Sequence, residues 1–225
     1  MDEQSLALAF GSSLTEEVSS IAGEYVELGL DALVEDGLFK DIPIVSTAVA
    51  VYRIGKSIRE KHHIAKLISF LNEINKGIAD EEKRQNYREK FTSNEKFRNQ
   101  ELEYILILID RYISFDKPQM LAKLYLAYLD GRIKWDEFTQ YAEVIDRLLP
   151  GDIYPGSDGL KYARNKSDSQ QRLAALGLMR GTIPSPSVDN GVLSFSSAAL
   201  NYELTQFGRT LLNILNPQSL NKWLY

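Results

Sequence analysis

The two histidines of the chain, His62 and His63, are the side chains best suited to acid–base or metal chemistry, and they are adjacent. Neighbouring residues of a helix point about 100° apart, so the pair cannot easily ligate one ion. Neither has a carboxylate or a second histidine four residues further on. The chain has no cysteine, and no Gly-x-Ser-x-Gly motif accompanies the histidines. We therefore expect no catalysis, no metal or other cofactor and no small-molecule substrate.

The segment Asp130–Glu137 resembles the second half of a calcium-binding EF-hand loop. With Gly131 at loop position 6, the isoleucine and the glutamate of the segment fall at positions 8 and 12. Positions 1 and 3 are then Leu126 and Tyr128, whose side chains cannot ligate calcium. The pattern instead predicts a short turn between two helices, with Ile133 pointing inward.

The charged residues that follow an apolar segment form the most conspicuous binding pattern. Residues 42–58 are apolar and rich in small and β-branched side chains, but shorter than the roughly 18 residues of a spanning helix. Such a segment is typical of a buried hairpin helix and also of a helix that inserts into a membrane surface. The cations that accompany it are predicted to meet a membrane or a protein partner; they are Lys56, Arg59, Lys61, His62, His63 and Lys66.

Helical periodicity dominates the chain as far as residue 150. The stripe Ile64, Leu67, Ile68, Leu71 and Ile74 follows helical spacing. The apolar run 104–109 predicts a central helix that is buried on most sides. Asp116 is predicted to cap a further helix, with Gln119 closing a capping box. Another stripe, from Phe138 to Leu149, completes a predicted helical bundle over residues 1–150.

The periodicity of the sequence changes after the turn-rich segment 150–159, which is predicted to be a linker. A helix over 160–176, short strands near 192–196 and 202–205, and a helix over 206–215 are predicted to follow. Leu173-x-x-Leu176-Gly177-Leu178 and then Leu204-Thr205-Gln206-Phe207-Gly208 resemble the end of a winged helix. The fold is thus predicted to be mainly α, with a winged-helix-like α+β unit at 151–225. A winged helix of this kind either has a structural or protein-binding role or contacts DNA. For DNA contact the candidate residues are Lys161, Arg164 and Arg172, with the acidic Asp168 beside them.

Charge and composition narrow the function classes. The net charge is −5, and the first 60 residues hold 4 Lys and Arg against 11 Asp and Glu. Such an acidic N-terminal segment argues against general nucleic-acid binding there. The lack of cysteine and the acidic start Met1–Gln4 are typical of a cytoplasmic protein. On the membrane-inserting interpretation, the protein would be peripheral at the membrane.

Three short strings are similar to those of small helical bacterial proteins of the abortive-infection alpha type: Asp41-Ile42-Pro43-Ile44-Val45, Ser57-Ile58-Arg59 and Leu204-Thr205-Gln206-Phe207-Gly208. The resemblance implies an association with mobile elements and phage defence, and it assigns no catalytic residue. We expect a non-enzymatic bacterial interaction protein that acts in phage defence or its regulation, through a protein partner or self-association. The alternatives are a membrane-acting effector that inserts residues 42–58 and a winged-helix DNA-binding regulator.

Overall fold

The computed structural model describes residues 58–78, 82–83, 85–87, 89, 95–149, 151–156, 159–162, 167–183, 187–189, 192–194 and 200–216. The chain divides into two compact units, Met1–Asp146 and Arg147–Tyr225. The boundary predicted from the sequence, after residue 150, lies four residues beyond this division. The spacing of Val18, Ile21, Tyr25, Leu28 and Val34 predicts a further helix over 15–35. That segment and the apolar segment 42–57 lie outside the described residues.

Helix α1, Ile58–Gly77, begins the described part of unit 1. Its predicted stripe from Ile64 to Ile74 is confirmed, since each of the five side chains is buried. This stripe packs mainly against helix α3, Asp116–Leu129. The period of 3.6 residues therefore predicts both the helix and the face that it buries.

Helix α2, Glu95–Arg111, contains the apolar run 104–109, so the predicted helix is confirmed. Leu102, Ile105, Leu108 and Ile109 are fully buried. Ile107, however, is 51% exposed. The helix is therefore less enclosed than predicted, because one apolar residue of the run lies on its outer face.

Helix α3 and helix α4, Trp135–Arg147, are joined by the predicted short turn. The turn is a Schellman motif, in which Arg132 N–H donates to Ala127 O and Gly131 has φ +73°. Ile133 is buried, as predicted. Glu137 accepts a hydrogen bond from the backbone N–H of Lys134 at 2.9 Å, so this carboxylate caps α4.

The predicted start of α3 is wrong in its details. Asp116 is the first helical residue, and the cap position belongs to Phe115, whose side chain makes no capping bond. Ser114 Oγ accepts the N–H of Asp116 at 3.2 Å. Gln119 donates from Nε2 to Ser69 Oγ on α1 at 3.2 Å, so a contact between helices replaces the predicted capping box.

The described part of unit 2 combines two helices with three antiparallel strand pairs. Strands β1, Ile153–Gly156, and β2, Gly159–Tyr162, form a hairpin with Gly156 opposite Gly159. Helix α5 spans Ser167–Ala175. The predicted helix over 160–176 is therefore wrong over 160–162, which are strand, and confirmed over 167–175. Residues 163–166 lie outside the described residues. Residues 153–156, inside the segment 150–159 interpreted as a linker, instead form the first strand of this hairpin.

The rest of unit 2 is a nested arrangement of strands between two helices. Strand β3, Met179–Thr182, pairs with β6, Asn201–Leu204, and the pair β4, Ser187–Asp189, with β5, Val192–Ser194, lies between them in sequence. Helix α6, Gln206–Leu215, follows β6 directly. The predicted strands near 192 and 202 and the predicted helix over 206–215 are confirmed.

The hydroxyl of Thr205 stabilises the start of α6 through hydrogen bonds. Its Oγ1 accepts the N–H of Gly208 at 3.0 Å and so caps the helix. The same hydroxyl lies 2.6 Å from the carbonyl oxygen of Gly177, to which it donates. A Cβ on Gly208 would lie 2.1 Å from the carbonyl oxygen of Leu178, so glycine is required for this close approach.

Candidate functional site

The predicted basic patch is divided by the structure into buried and exposed parts. Arg59 is an exposed side chain of α1, whereas Lys66 is 3% exposed. Lys66 therefore does not belong to the predicted surface, which corrects that assignment. Lys56 lies outside the described residues; Lys61 lies in α1, but its side chain is outside the described part.

Lys66 is buried because it caps the end of a neighbouring helix. Its Nζ donates to the carbonyl oxygens of Asp110 at 2.8 Å and Tyr112 at 2.7 Å, where α2 ends. A cation at the C-terminus of a helix is favourable, and its alkyl stem can pack against apolar neighbours. Burial lowers the pKa of Lys66, and the nearby carboxylate of Asp110 partly opposes this effect.

His63 lies beside this cap. Its Nδ1 is 3.3 Å from Oδ1 of Asp110, and its side chain is 14% exposed. Burial lowers the pKa of His63; Asp110 raises it, and the positive charges of Lys66 and Arg59 lower it further. The histidine is thus favoured in its neutral form by its surroundings.

His62 faces a different neighbour. Its ring is tilted against the ring of Phe115, with centroids 4.6 Å apart. Burial lowers the pKa of His62, and Lys66 lowers it further. The two histidines therefore have separate partners, Phe115 and Asp110, as their adjacent positions on a helix predict. The described residues contain no group of three or more His, Asp or Glu placed to hold a metal ion.

The contacts of Lys66, His63 and His62 with residues 110–115 hold an exposed apolar surface in place. Ile107 is 51% exposed, Ile113 is 86% exposed and Phe115 is 36% exposed. They are the large apolar side chains of unit 1 that are exposed within its described part, and all three fall within residues 107–115. We call this surface the α2–α3 corner; it consists of Ile107, Asp110, Arg111, Ile113, Phe115 and Asp116 with Arg59 and His62 of α1.

Salt bridges border the α2–α3 corner on two sides. Arg59 Nη2 lies 3.5 Å from Oδ2 of Asp110, which joins α1 to α2. Arg111 pairs with Asp146 of α4, and Lys117 Nζ donates to the backbone oxygen of Asp146 at 2.7 Å. The corner is therefore attached to three helices rather than projecting as a free loop.

A second cluster, of aromatic residues, is part of the core. Tyr104, Tyr125, Tyr128, Trp135 and Phe138 meet with ring centroids 4.7 to 6.4 Å apart. Rings at these separations touch one another and leave no room for a guest between them. Glu101 is buried beside them and accepts the hydroxyl of Tyr128. Burial raises the pKa of Glu101, and this hydrogen bond partly offsets the effect.

Asp130, the first residue of the EF-hand-like string, binds side chains from an earlier part of unit 1. Its Oδ1 accepts the hydroxyl of Tyr87 at 2.5 Å and lies 3.3 Å from Nζ of Lys83. Together with the capping role of Glu137, these contacts commit the two carboxylates to structural bonds. The turn is therefore stabilised by the residues that would otherwise suggest an ion site.

The predicted nucleic-acid residues are not brought together on one helix. Lys161 lies on β2, opposite Tyr154, and Arg164 lies outside the described residues. Arg172 lies on α5, with Nη2 2.6 Å and Nε 3.2 Å from the carboxylate of Asp152. Asp152 is 1% exposed. Lys161 therefore does not lie on the predicted helix over 160–176, and the guanidinium of Arg172 pairs with a buried carboxylate.

The sequence interpretation missed Asp110, Asp152, Ile113 and Phe115. The first two contact residues distant along the chain, and no local pattern indicates this. A signal existed for the other two, since Tyr112-Ile113-Ser114-Phe115 places apolar side chains in a short connection between helices.

No family model, curated protein or solved structure matches the chain. Over the described residues, no helix combines the length and apolarity needed to cross a membrane.

Proposed function

We propose that this chain is a non-enzymatic interaction protein of bacterial phage defence, which binds its protein partner through the α2–α3 corner. The observation that carries the proposal is the concentration of Ile107, Ile113 and Phe115 within nine residues of unit 1. Clustered exposed apolar side chains with a polar border are typical of protein interfaces. The link to phage defence depends on the resemblance to abortive-infection alpha proteins.

The rigid attachment of the corner supports this function. Lys66 bonds the backbone at both Asp110 and Tyr112, and His62 packs against Phe115. A surface that is already ordered loses little conformational entropy on binding. Exposed apolar residues that are fixed in this way are suited to recognition.

The experiment compares phage plaque formation on bacteria that express the natural chain or the variant Ile113→Asp. A charge at this 86% exposed position leaves the fold intact but disfavours an apolar interface. We expect plaque numbers to return to those of bacteria without the protein. The matched control is Ile183→Asp, because Ile183 is 80% exposed in unit 2, outside the corner.

Circular dichroism and thermal unfolding establish that each variant is folded. Full protection by Ile113→Asp at natural stability would contradict the proposal. Equal loss in Ile113→Asp and Ile183→Asp would also contradict it, since the corner would then have no special role.

A DNA-binding regulator is a second candidate, favoured by the order of elements in unit 2. A helix, a strand pair enclosing a second pair, and a helix capped by Thr205 follow one another as in a winged helix. On this proposal, residues 151–225 form a winged-helix-like unit. The pairing of Arg172 with Asp152 reduces its availability for phosphates. Binding that falls steeply with salt in fluorescence anisotropy supports this function, and no binding at low salt excludes it.

The membrane-acting alternative concerns residues 42–58, of which the structure describes Ile58 alone. Flotation with anionic vesicles tests it. Binding that is lost when Val45 and Val49 are replaced by Asp would favour insertion of this segment over a protein partner.

A further inference from the structure

The chain has two histidines, and both lie at the same contact between helices. The ring of His62 packs against that of Phe115, and Nδ1 of His63 lies 3.3 Å from Oδ1 of Asp110. Both partners belong to the short stretch where α2 ends and α3 begins. The side chains that titrate nearest to neutral pH therefore join the start of α1 to residues 110–115.

The charges around His63 disfavour an added proton. Arg59 and Lys66 of α1 bring two positive charges to this contact, whereas Asp110 of α2 brings one negative charge. That carboxylate is already shared, since Arg59 Nη2 lies 3.5 Å from it. The carbonyl oxygens at the end of α2, which would favour a cation, are bonded to Lys66. An imidazolium at His63 would therefore add to an existing excess of positive charge.

His62 is subject to the same influences. Burial is the main cause that lowers the pKa of both rings, and the cation Lys66 lowers both further. The packing partner of His62, Phe115, is apolar. Helix α3 brings its Lys123 to α1 further along, where it pairs with Glu73. Both histidine contacts are therefore built with neutral rings.

We infer that His62 and His63 make the contact between the start of α1 and residues 110–115 acid-sensitive, so that protonation of both rings releases it. The released part ends before Lys66, whose bonds to the end of α2 involve no histidine. The buried apolar stripe of α1 begins after the histidines and keeps its packing. The inference concerns the chain alone and goes beyond the proposed function.

The direction of the effect follows from the linkage between proton binding and release. Both rings bind protons more weakly in the contact than when released, so the contact is complete above about pH 6.5 and weakens below it. One linked proton raises the equilibrium constant for release by up to about tenfold per pH unit, and two protons raise it by up to about 100-fold.

Proton NMR of the full chain from about pH 8 to about pH 5 tests the inference, because this range spans the ordinary histidine pKa. The Phe115 ring signals should move to those of a ring without an aromatic neighbour as the two histidine C2–H signals titrate. The internal control is the NOE between the stacked rings of Trp135 and Phe138, whose centroids lie 4.7 Å apart. It should persist throughout, since release is local.

Substitution of the histidines tests their part in the release. His62→Gln and His63→Gln should each reduce the steepness of the Phe115 transition from up to about 100-fold to up to about tenfold per pH unit. The double variant should show no transition in this range. A transition that is unchanged in the double variant would overturn the inference.

Two results with the natural chain would also overturn it. One is a set of Phe115 signals that stays constant down to about pH 5. The other is loss of the Trp135–Phe138 NOE in parallel with the Phe115 change, which would indicate acid unfolding of unit 1 as a whole. Neither result affects the proposed function, because phage protection by Ile113→Asp and the natural chain is compared at a single pH.

Discussion

Replacing Lys66 with methionine removes the cation that caps α2. Methionine retains much of the length and apolar volume of lysine, but it cannot donate to the carbonyl oxygens of Asp110 and Tyr112. The two bonds are 2.8 and 2.7 Å long, and Lys66 is 3% exposed. Water therefore cannot readily replace the lost donors without a local rearrangement.

The expected loss follows from these two bonds. A hydrogen bond to a charged group contributes about 1.5–3 kcal/mol to stability, so the pair contributes about 3–6 kcal/mol. Burial lowers the pKa of Lys66, which indicates that the ammonium itself is costly to desolvate. Methionine avoids this cost, so we expect a net loss in the free energy of unfolding of about 2–4 kcal/mol.

Urea unfolding measures the change in free energy, and thermal unfolding should show a decrease in Tm of about 5–15 °C. Amide hydrogen exchange provides a local measurement, because protection of the Tyr112 N–H, which donates to Leu108 O, should decrease first. The control is Lys76→Met on the same helix, where the lysine side chain is 65% exposed. A Lys66→Met protein as stable as the Lys76→Met protein would refute the capping role.

Three further substitutions test the surroundings of the corner and the construction of unit 2. Burial is the main cause that lowers the pKa of His63 below 6.5, so its contribution to stability should be complete above about pH 6.5 and decrease below it by at most about 1.4 kcal/mol per pH unit. His63→Gln should reduce this decrease in urea unfolding at successive pH values, and the part that remains belongs to His62, whose pKa burial also lowers. Gly208→Ala brings a Cβ against the carbonyl oxygen of Leu178 and should destabilise the protein by about 2 kcal/mol or more in thermal unfolding. Asp152→Asn weakens the bonds to Arg172 and should lower Tm by about 5 °C.

Each of these substitutions has a matched control. Gly181→Ala places its Cβ at an ordinary 3.6 Å from Tyr202 and should be tolerated, so equal losses at Gly181 and Gly208 would be inconsistent with the close contact. Asp168→Asn alters an exposed acid on α5 and should leave Tm nearly unchanged. If the acid-side slope persists in His63→Gln but disappears in His62→Gln, the assignment of the titrating group is wrong.

Local sequence patterns predict the helices of unit 1 better than they predict the site. The stripe from Ile64 to Ile74 repeats every 3.6 residues, and both the helix and its buried face follow from that period. The positive charge of Lys66 suggested a solvated position instead. Its acceptors lie 44 and 46 residues further along the chain, so burial of the ammonium depends on tertiary packing that no local pattern contains.

The same limit explains the error in unit 2. Residues 159–162 form a strand because they pair with residues 153–156. The glycines at 156 and 159 indicate a break in structure, and a hairpin turn and a linker share that signal. Arg172 lies 20 residues from Asp152, so its pairing could not be inferred from helical spacing.

The hydrogen bonds of Thr205 allow unit 2 to tolerate changes of length or sequence between β3 and β6. One hydroxyl joins the end of α5 to the start of α6, through the carbonyl oxygens of Gly177 and Leu178 and the N–H of Gly208. The two helices are thus joined independently of the chain that runs between β3 and β6. Lengthening or exchanging the segment between β3 and β6 costs mainly loop-closure entropy, and this cost grows slowly with length. The segment is therefore a suitable graft position for a tag or a foreign peptide.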